Sequence, residues 1–252
     1  ISVMAPPPTE LFVEACRQAV LKNLDYVPPY GTGASLYVRP LLIGTSPHIG
    51  VHPSEDYALI VLVSPMGPYY KEGFFPVSAY VQEEYDRAAP LGVGCVKAGG
   101  NYSAGMMGDM EGKKRGFPIC LYLDSVEHKY VDEFGTSNFI AITRDGAYVT
   151  PKSASILPSI TNKSLMQLAP DLGLTVEERR IPVTELADLA EVGACGTAVV
   201  ITPVCAVHHG DRVYAFGSKE RAGQELTRLY EAYTRIQVGD LPDTYGWLTP
   251  VA

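Results

Sequence analysis

Residues 91–106 read LGVGCVKAGGNYSAGM, and the reading of the whole chain turns on them. Gly92, Gly94, Gly99 and Gly100 bracket a single lysine, Lys97, and Asn101-Tyr102 follow at once. Glycines on both sides let the backbone approach a bound group closely and adopt conformations that other residues avoid. Tyr80–Ala89, before this stretch, is polar and extended in character, and Ser103–Arg115, after it, has helix-forming composition. Lys97 therefore falls at a strand-to-helix turn. A lysine so placed suits a phosphate-binding charge or an amine nucleophile. A solvated surface lysine would have the same local sequence.

Towards the C-terminus, Ile119–Asp124 reads as a strand, and Lys129–Glu133 and Ser137–Thr143 as paired strands around Gly135-Thr136. Asp145-Gly146 is a hairpin turn before Ala147–Thr150. Ser159 is the expected N-cap of a helix whose inner face carries Leu165, Leu168 and Ala169. Leu174–Pro182 reads as a strand, and Thr184 as the cap of a short helix through Ala190. Gly193–Ala198 is a small-residue turn feeding a strand Val199–Val204. His208–Asp211 turns a hairpin, and Lys219–Ile236 is an amphipathic terminal helix.

Towards the N-terminus, Thr9 is the expected cap of a helix over Glu10–Lys22. Ala34–Ile43 alternates as a strand with Tyr37 and Arg39 on one face, and Tyr57–Val63 is an apolar strand. Ser64–Pro76, SPMGPYYKEGFFP, holds three prolines, two glycines and four aromatics, which marks a connection between two halves. The expected organisation is a smaller domain over 1–67, a linker over 68–76 and a larger domain over 77–252. Strands outnumber helices but mix with them, so the class is α/β or α+β. Position 1 is not methionine, and sequence preceding Ile1 is expected.

The 252 residues, 46 % apolar and 19 % charged, have the balance of a folded globular chain rather than a disordered one. A net charge of −8 argues against a general nucleic-acid binder, which would need clustered Lys and Arg. No apolar run approaches the roughly 18 residues of a membrane span, so no membrane partner is expected. The five cysteines are odd in number, widely spread and without a CxxC pair, as in a reducing, cytoplasmic setting. Cys205, His208 and His209 lack zinc-like ligand pairs, so no metal is expected.

Two further stretches have the make-up of anion sites. At Pro158-Ser159-Ile160-Thr161, the free amides of a helix start face whatever precedes it. At Gly193–Ala198, small residues and Thr197 suit a nest of amides with one hydroxyl. Ordinary capping and turn chemistry would account for either alone. With the glycine-flanked lysine and the acid Glu133, the set gains a chemical sense. A phosphorylated aldehyde cofactor needs an amine to hold it, amides for its phosphate and an acid near its ring nitrogen.

With these residues in view, the chain resembles the branched-chain amino-acid aminotransferases, pyridoxal-phosphate enzymes of fold type IV. ASLYVRPLLIGT, LVSPMGPYY, GCVKAGGNYSAG, DEFGTSNFI, SILPSIT and GACGTAVV stand in family order and spacing through most of the chain. The resemblance implies two α/β domains with pyridoxal 5′-phosphate between them, a homodimer, and a small N-terminal domain incomplete at its start. It puts the cofactor lysine at Lys97, the ring-hydroxyl tyrosine at Tyr102 and the ring-nitrogen carboxylate at Glu133. Phosphate contacts fall on the amides of Ile160 and Thr161 and on Thr197. Substrate contacts fall on Tyr37, Arg39, Tyr69, Thr136 and the Ala198 amide.

The family's phosphate-binding arginine and part of its side-chain pocket lie upstream of Ile1. A protein starting there is expected to bind the cofactor weakly. Val199 and Thr202 occupy the positions where some animal members carry a redox CxxC, so that regulation is not expected. The implied reaction passes the amino group of leucine, isoleucine or valine to 2-oxoglutarate, with Arg39 suited to a distal carboxylate. Within the fold, a D-amino-acid aminotransferase and an aminodeoxychorismate lyase share the lysine and glutamate but not LYVRP and KAGGNY as written here. A nucleotide-binding module is the alternative from another class, although the GxxxxGK phosphate loop is absent and GVGCVK lacks a third glycine.

Overall fold

A computed structural model describes residues 2–67 and 74–251. The chain divides into two compact units: Ile1–Lys71 with Pro242–Ala252, and Glu72–Leu241. The first contains helix α1 (Thr9–Leu21) and the antiparallel pair β1 (Ser35–Gly44) and β2 (Tyr57–Met66). Pro8, not Thr9, is the N-cap of α1, and it offers no side-chain bond. Proline fixes φ just ahead of the first turn, which moves the helix start by one residue.

The second unit is built on nine strands whose ladder closes on itself. β3 (Val77–Gln82) lies between β4 (Ile119–Leu123) and β10 (Val200–His209), parallel to both. β4 continues through β5 (Val131–Phe134) to β6 (Asn138–Thr143), and β9 (Leu189–Gly196) joins β6 back to β10. Six strands thus form a ring, extended by β7 (Ala147–Pro151) and β8 (Thr175–Arg179) on one side and by β11 (Arg212–Ala215) on the other. Its core packs Ala79, Val81, Leu121, Phe134, Phe139, Val192 and Val204.

The run Gly193-Ala194-Cys195-Gly196 is part of β9, and only Thr197–Val199 form the turn. The small side chains there answer a packing demand. A Cβ on Gly193 would come within 3.2 Å of Ile201 and Leu226 and 3.3 Å of Ile140. Strand β8 is shorter than Leu174–Pro182, and Val183–Asp188 is a 3-10 helix without a side-chain cap, so Thr184 does not have that role. The terminal helix α4 (Gln224–Gln237) begins later than Lys219 because its cap comes from another strand. Glu191 of β9 accepts hydrogen bonds from the amides of Glu225 and Leu226 at 3.0 and 2.8 Å. Its carboxylate also neutralises the positive helix end.

Helix α2 (Gly99–Lys114) starts directly after the lysine loop, four residues before Ser103. Its buried face is Asn101, Gly105, Gly108 and Gly112, spaced to let the helix lie close against β3 and β4. A Cβ at Gly108 would sit 2.4 Å from Tyr122 Oη, and one at Gly112 2.3 Å from Cys120 Sγ. Tyr122 Oη donates to the Gly105 carbonyl at 3.0 Å, so it has little room to retreat. Gly108→Ala should therefore destabilise the protein by about 1–3 kcal/mol, overpacking outweighing the helix propensity gained. Adding Tyr122→Phe should recover part of the loss in chemical denaturation. Simple additivity of the two changes would refute the contact.

Candidate active site

The site is assembled at one end of the ring from segments far apart in sequence. In the register, Glu133 stands opposite Asn138, and Asn138 opposite Cys195. The β5–β6 turn at Gly135–Ser137 and the β9–β10 turn at Thr197–Val199 therefore lie at the same edge, and a Cβ on Gly196 would be 3.8 Å from that of Ser137. Between β4 and β5, Leu121 pairs with Phe134 but Leu123 with Val131, which leaves one extra residue on β5. Such a bulge re-aims side chains. Val131 and Phe134 both reach the core, and Glu133 is freed to line a cleft with Lys97, Tyr102, Thr136 and Asn138.

Lys97 Nζ donates to Tyr102 Oη at 2.8 Å. The loop holding Lys97 is tied down by buried Asn101, whose amide donates to the carbonyls of Val93 and Val96 at 2.6 and 2.7 Å. Gly94 packs so closely on Ser155 that a Cβ would lie 2.4 Å from its carbonyl oxygen. The glycines flanking the lysine thus have separate tasks: Gly94 allows close approach, while Gly99 and Gly100 open the helix.

Glu133 is buried, with a residue exposure of 3 %. Its Oε1 accepts from the Leu157 amide at 3.2 Å and pairs with the Arg87 guanidinium. Oε2 accepts from Asn138 Nδ2 at 3.1 Å, and that same amide donates to the Leu157 carbonyl at 2.8 Å. A carboxylate has about four acceptor positions. Three are taken by these donors, so one is left, on Oε2. Burial pushes the Glu133 carboxyl up to about 7, against the opposing pull of Arg87, the Leu157 amide and Lys97.

Leu157 also brings in the start of helix α3 (Ile160–Leu168). Ser159 Oγ caps the Asn162 amide at 3.2 Å, which leaves the amides of Ile160 and Thr161 outside the helix's own ladder. Thr197 and Ala198 are exposed in the β9–β10 turn. Val200, which ends that turn, has φ of 59°, a strained value for a β-branched residue. Ile160, Thr161, Thr197 and Ala198 do not line the cleft that holds Lys97 and Glu133. Tyr37 and Arg39 sit on β1 in the other unit, where Arg39 Nη2 donates to Tyr37 Oη at 3.1 Å. Tyr69 lies outside the described residues.

Arg87 is the residue that sequence reading passes over. It stands in a loop whose composition, Asp-Arg-Ala-Ala-Pro, resembles ordinary surface chain. Its partners are Ser155 and Glu133, which only the fold brings near. His208 packs against the Phe117 ring and His209 pairs with Glu83 at 3.0 Å. Among the described residues there is no group of three or more potential metal ligands. No helix there is long and apolar enough to cross a membrane.

Residues 2–207 match the family model for the amino-transferases of class IV. A branched-chain-amino-acid aminotransferase of Haemophilus influenzae is 42 % identical over 255 residues, covering 99 % of this chain and 74 % of the relative. Among solved structures, a branched-chain amino acid aminotransferase of Escherichia coli superposes with a TM-score of 0.82 at 29 % identity, over 99 % of this chain and 78 % of that one. Another branched-chain amino acid aminotransferase, from T.th. and determined with pyridoxamine 5′-phosphate, gives 0.82 at 29 %, over 98 % and 77 %.

Proposed function

This chain belongs to the class IV amino-transferase family, and on that premise we infer that it is a branched-chain amino-acid aminotransferase. It passes the amino group of leucine, isoleucine or valine to 2-oxoglutarate, with pyridoxal 5′-phosphate as cofactor. The observation that carries the reading is one cleft that holds a tyrosine-bound lysine amine and a buried glutamate with one open acceptor position. Those residues fit the cofactor: an amine for its aldehyde and an acid for its ring nitrogen. When bound, pyridoxal phosphate supplies the aldehyde that carries the amino group and a ring that spreads negative charge from the substrate α-carbon.

Lys97 Nζ is the base and acid of the reaction. With the cofactor bound, Lys97 would hold it through its aldehyde at rest and, once displaced by substrate, would carry the proton that leaves the substrate α-carbon. Tyr102 Oη accepts from that amine and would offer its own hydrogen to the cofactor's ring hydroxyl. Glu133, as a carboxylate, would keep a proton on the cofactor's ring nitrogen. The Ile160 and Thr161 amides at a helix N-terminus, with Thr197, take the phosphate. Arg39 and Tyr37, with Tyr69, Thr136 and the Ala198 amide, take the substrate, and the guanidinium matches the distal carboxylate of glutamate. We place the reaction in the cytoplasm, which the five free cysteines suit, and assign the working form as a homodimer.

The reading is tested by half-reactions. L-Leucine added to cofactor-loaded protein should shift the cofactor's absorbance and release its 2-oxo acid. 2-Oxoglutarate should then reverse the shift and yield glutamate. A response to D-alanine but not to L-leucine would instead make the chain a D-amino-acid aminotransferase. Pyruvate release from aminodeoxychorismate would make it a lyase.

A further inference from the structure

We propose that Arg87 is a positioning residue that keeps Glu133 ionised and, by occupying Oε1, leaves one acceptor position on Oε2 unused. The inference rests on the reading of Glu133 as the ring-nitrogen partner. The side chains of Arg87 and Glu133 are 9 % and 4 % exposed, so neither charge is paired with bulk water. The nitrogen that pairs with Glu133, Arg87 Nη2, also donates to the Ser155 carbonyl at 2.6 Å, so one guanidinium nitrogen is held by the acid and by a backbone oxygen together. The same Ser155 carbonyl is the surface on which Gly94 of the lysine loop packs. Arg87 is thus joined through one backbone oxygen to the segment that carries Lys97.

The electrostatic need is clear from what surrounds Glu133. Asp132, its neighbour along β5, is also buried, at 5 % exposure, and lines a second cleft with Lys152, Ser153 and Arg180. Two buried carboxylates side by side on one strand repel, and burial pushes both up. From β9, the buried Cys195 thiol adds no positive charge. Against these stand Arg87, whose charge acts on both acids, Lys97, which pulls on Glu133 more weakly, and Arg180, which acts on Asp132. Arg87 is the one buried cation in the set. An arginine holds its charge at any working pH, unlike a lysine in the same place. Oε1 carries Arg87 and the Leu157 amide together, so the open acceptor position falls on Oε2.

The test reads Glu133 directly, in protein free of cofactor. Carboxyl bands in infrared difference spectra, assigned by their loss in Glu133→Gln, give its titration midpoint. The wild type should titrate near neutrality. Arg87→Met should move the midpoint up by about one pH unit or more, with at least a tenfold fall in cofactor affinity at pH 7. Arg87→Lys should restore part of both. Asp132→Asn should move the midpoint down, an opposite shift that general loosening of the site would not produce. If Arg87→Met does not fold, Arg87→Lys and Asp132→Asn decide the matter. A midpoint that stays in place in those variants overturns the proposal. Full transaminase activity in Glu133→Gln would refute the role given to Glu133 while leaving its control by Arg87 to stand or fall on the titration.

Discussion

Lys97→Ala should lower the rate of transamination by about 10³-fold or more, since it removes both the covalent hold and the proton carrier, and a positioned acid–base group alone is worth about 10²–10⁴. The cofactor contacts proposed outside Lys97 do not involve its side chain, so cofactor should still bind, without the covalent attachment. Borohydride reduction of the wild type followed by peptide mapping should put the pyridoxyl label on Lys97. The label should be absent from Lys97→Ala. Finding it on Lys113 or Lys163 would overturn the assignment. Lys113 lies in the last turn of α2, remote from the loop that Asn101 ties down. Added methylamine, a small base, should restore part of the lost proton transfer.

Glu133→Gln should fold and bind cofactor, yet turn over about 10²-fold more slowly or worse, as expected when a preorganised charge is removed without loss of bulk. The amide retains an oxygen for Asn138 or Leu157 but cannot hold a proton on the ring nitrogen. The same residue has a second, independent effect. Its carboxyl lies near 4.5 in ordinary surroundings and at about 7 in the folded, cofactor-free protein. The folded state therefore binds a proton more tightly than the unfolded one. This stabilising contribution is complete below pH 4.5 and is lost as pH rises to 7, a difference of roughly 3 kcal/mol. Denaturation of the cofactor-free protein should show that decline, and Glu133→Gln should flatten it. An unchanged decline would mean that other groups are responsible.

The elements that bear the lysine and the glutamate are legible in the sequence because their information is local. KAGGNY and EFGTSN contain the functional side chain together with the residues that pin it: Asn101 holds the lysine loop, and Asn138 holds Glu133. Ser159 likewise announces its helix, and its side chain does cap it. What is not legible depends on remote partners. Glu191 caps α4 from 34 residues away, so the helix start cannot be read from its own segment. Gly193–Gly196 can serve a turn or a tightly packed strand, and only the neighbours Ile140, Ile201 and Leu226 decide for the strand. Arg87 reads as surface because its reason, a buried acid and a carbonyl 68 residues on, is absent from its neighbourhood. The same holds for Pro242–Ala252, which group with the first unit although they end the chain.

The closed strand ring has a consequence for how the protein is made. Its seam joins β3 to β10, where Cys205 Sγ reaches the Val77 carbonyl across 128 residues. During synthesis, β3 to β6 emerge early and can pair with one another, while two edges wait for β9 and β10. Until then those edges expose unpaired backbone groups beside an apolar interior, a template for joining another chain. Contacts of such high sequence separation form late and slowly. Lys97 and Glu133, with the partners that hold them, are all translated before the strands that close the seam. A ribosome-bound chain halted before Val200 should aggregate on release, whereas one extended past His209 should reach a protease-resistant ring.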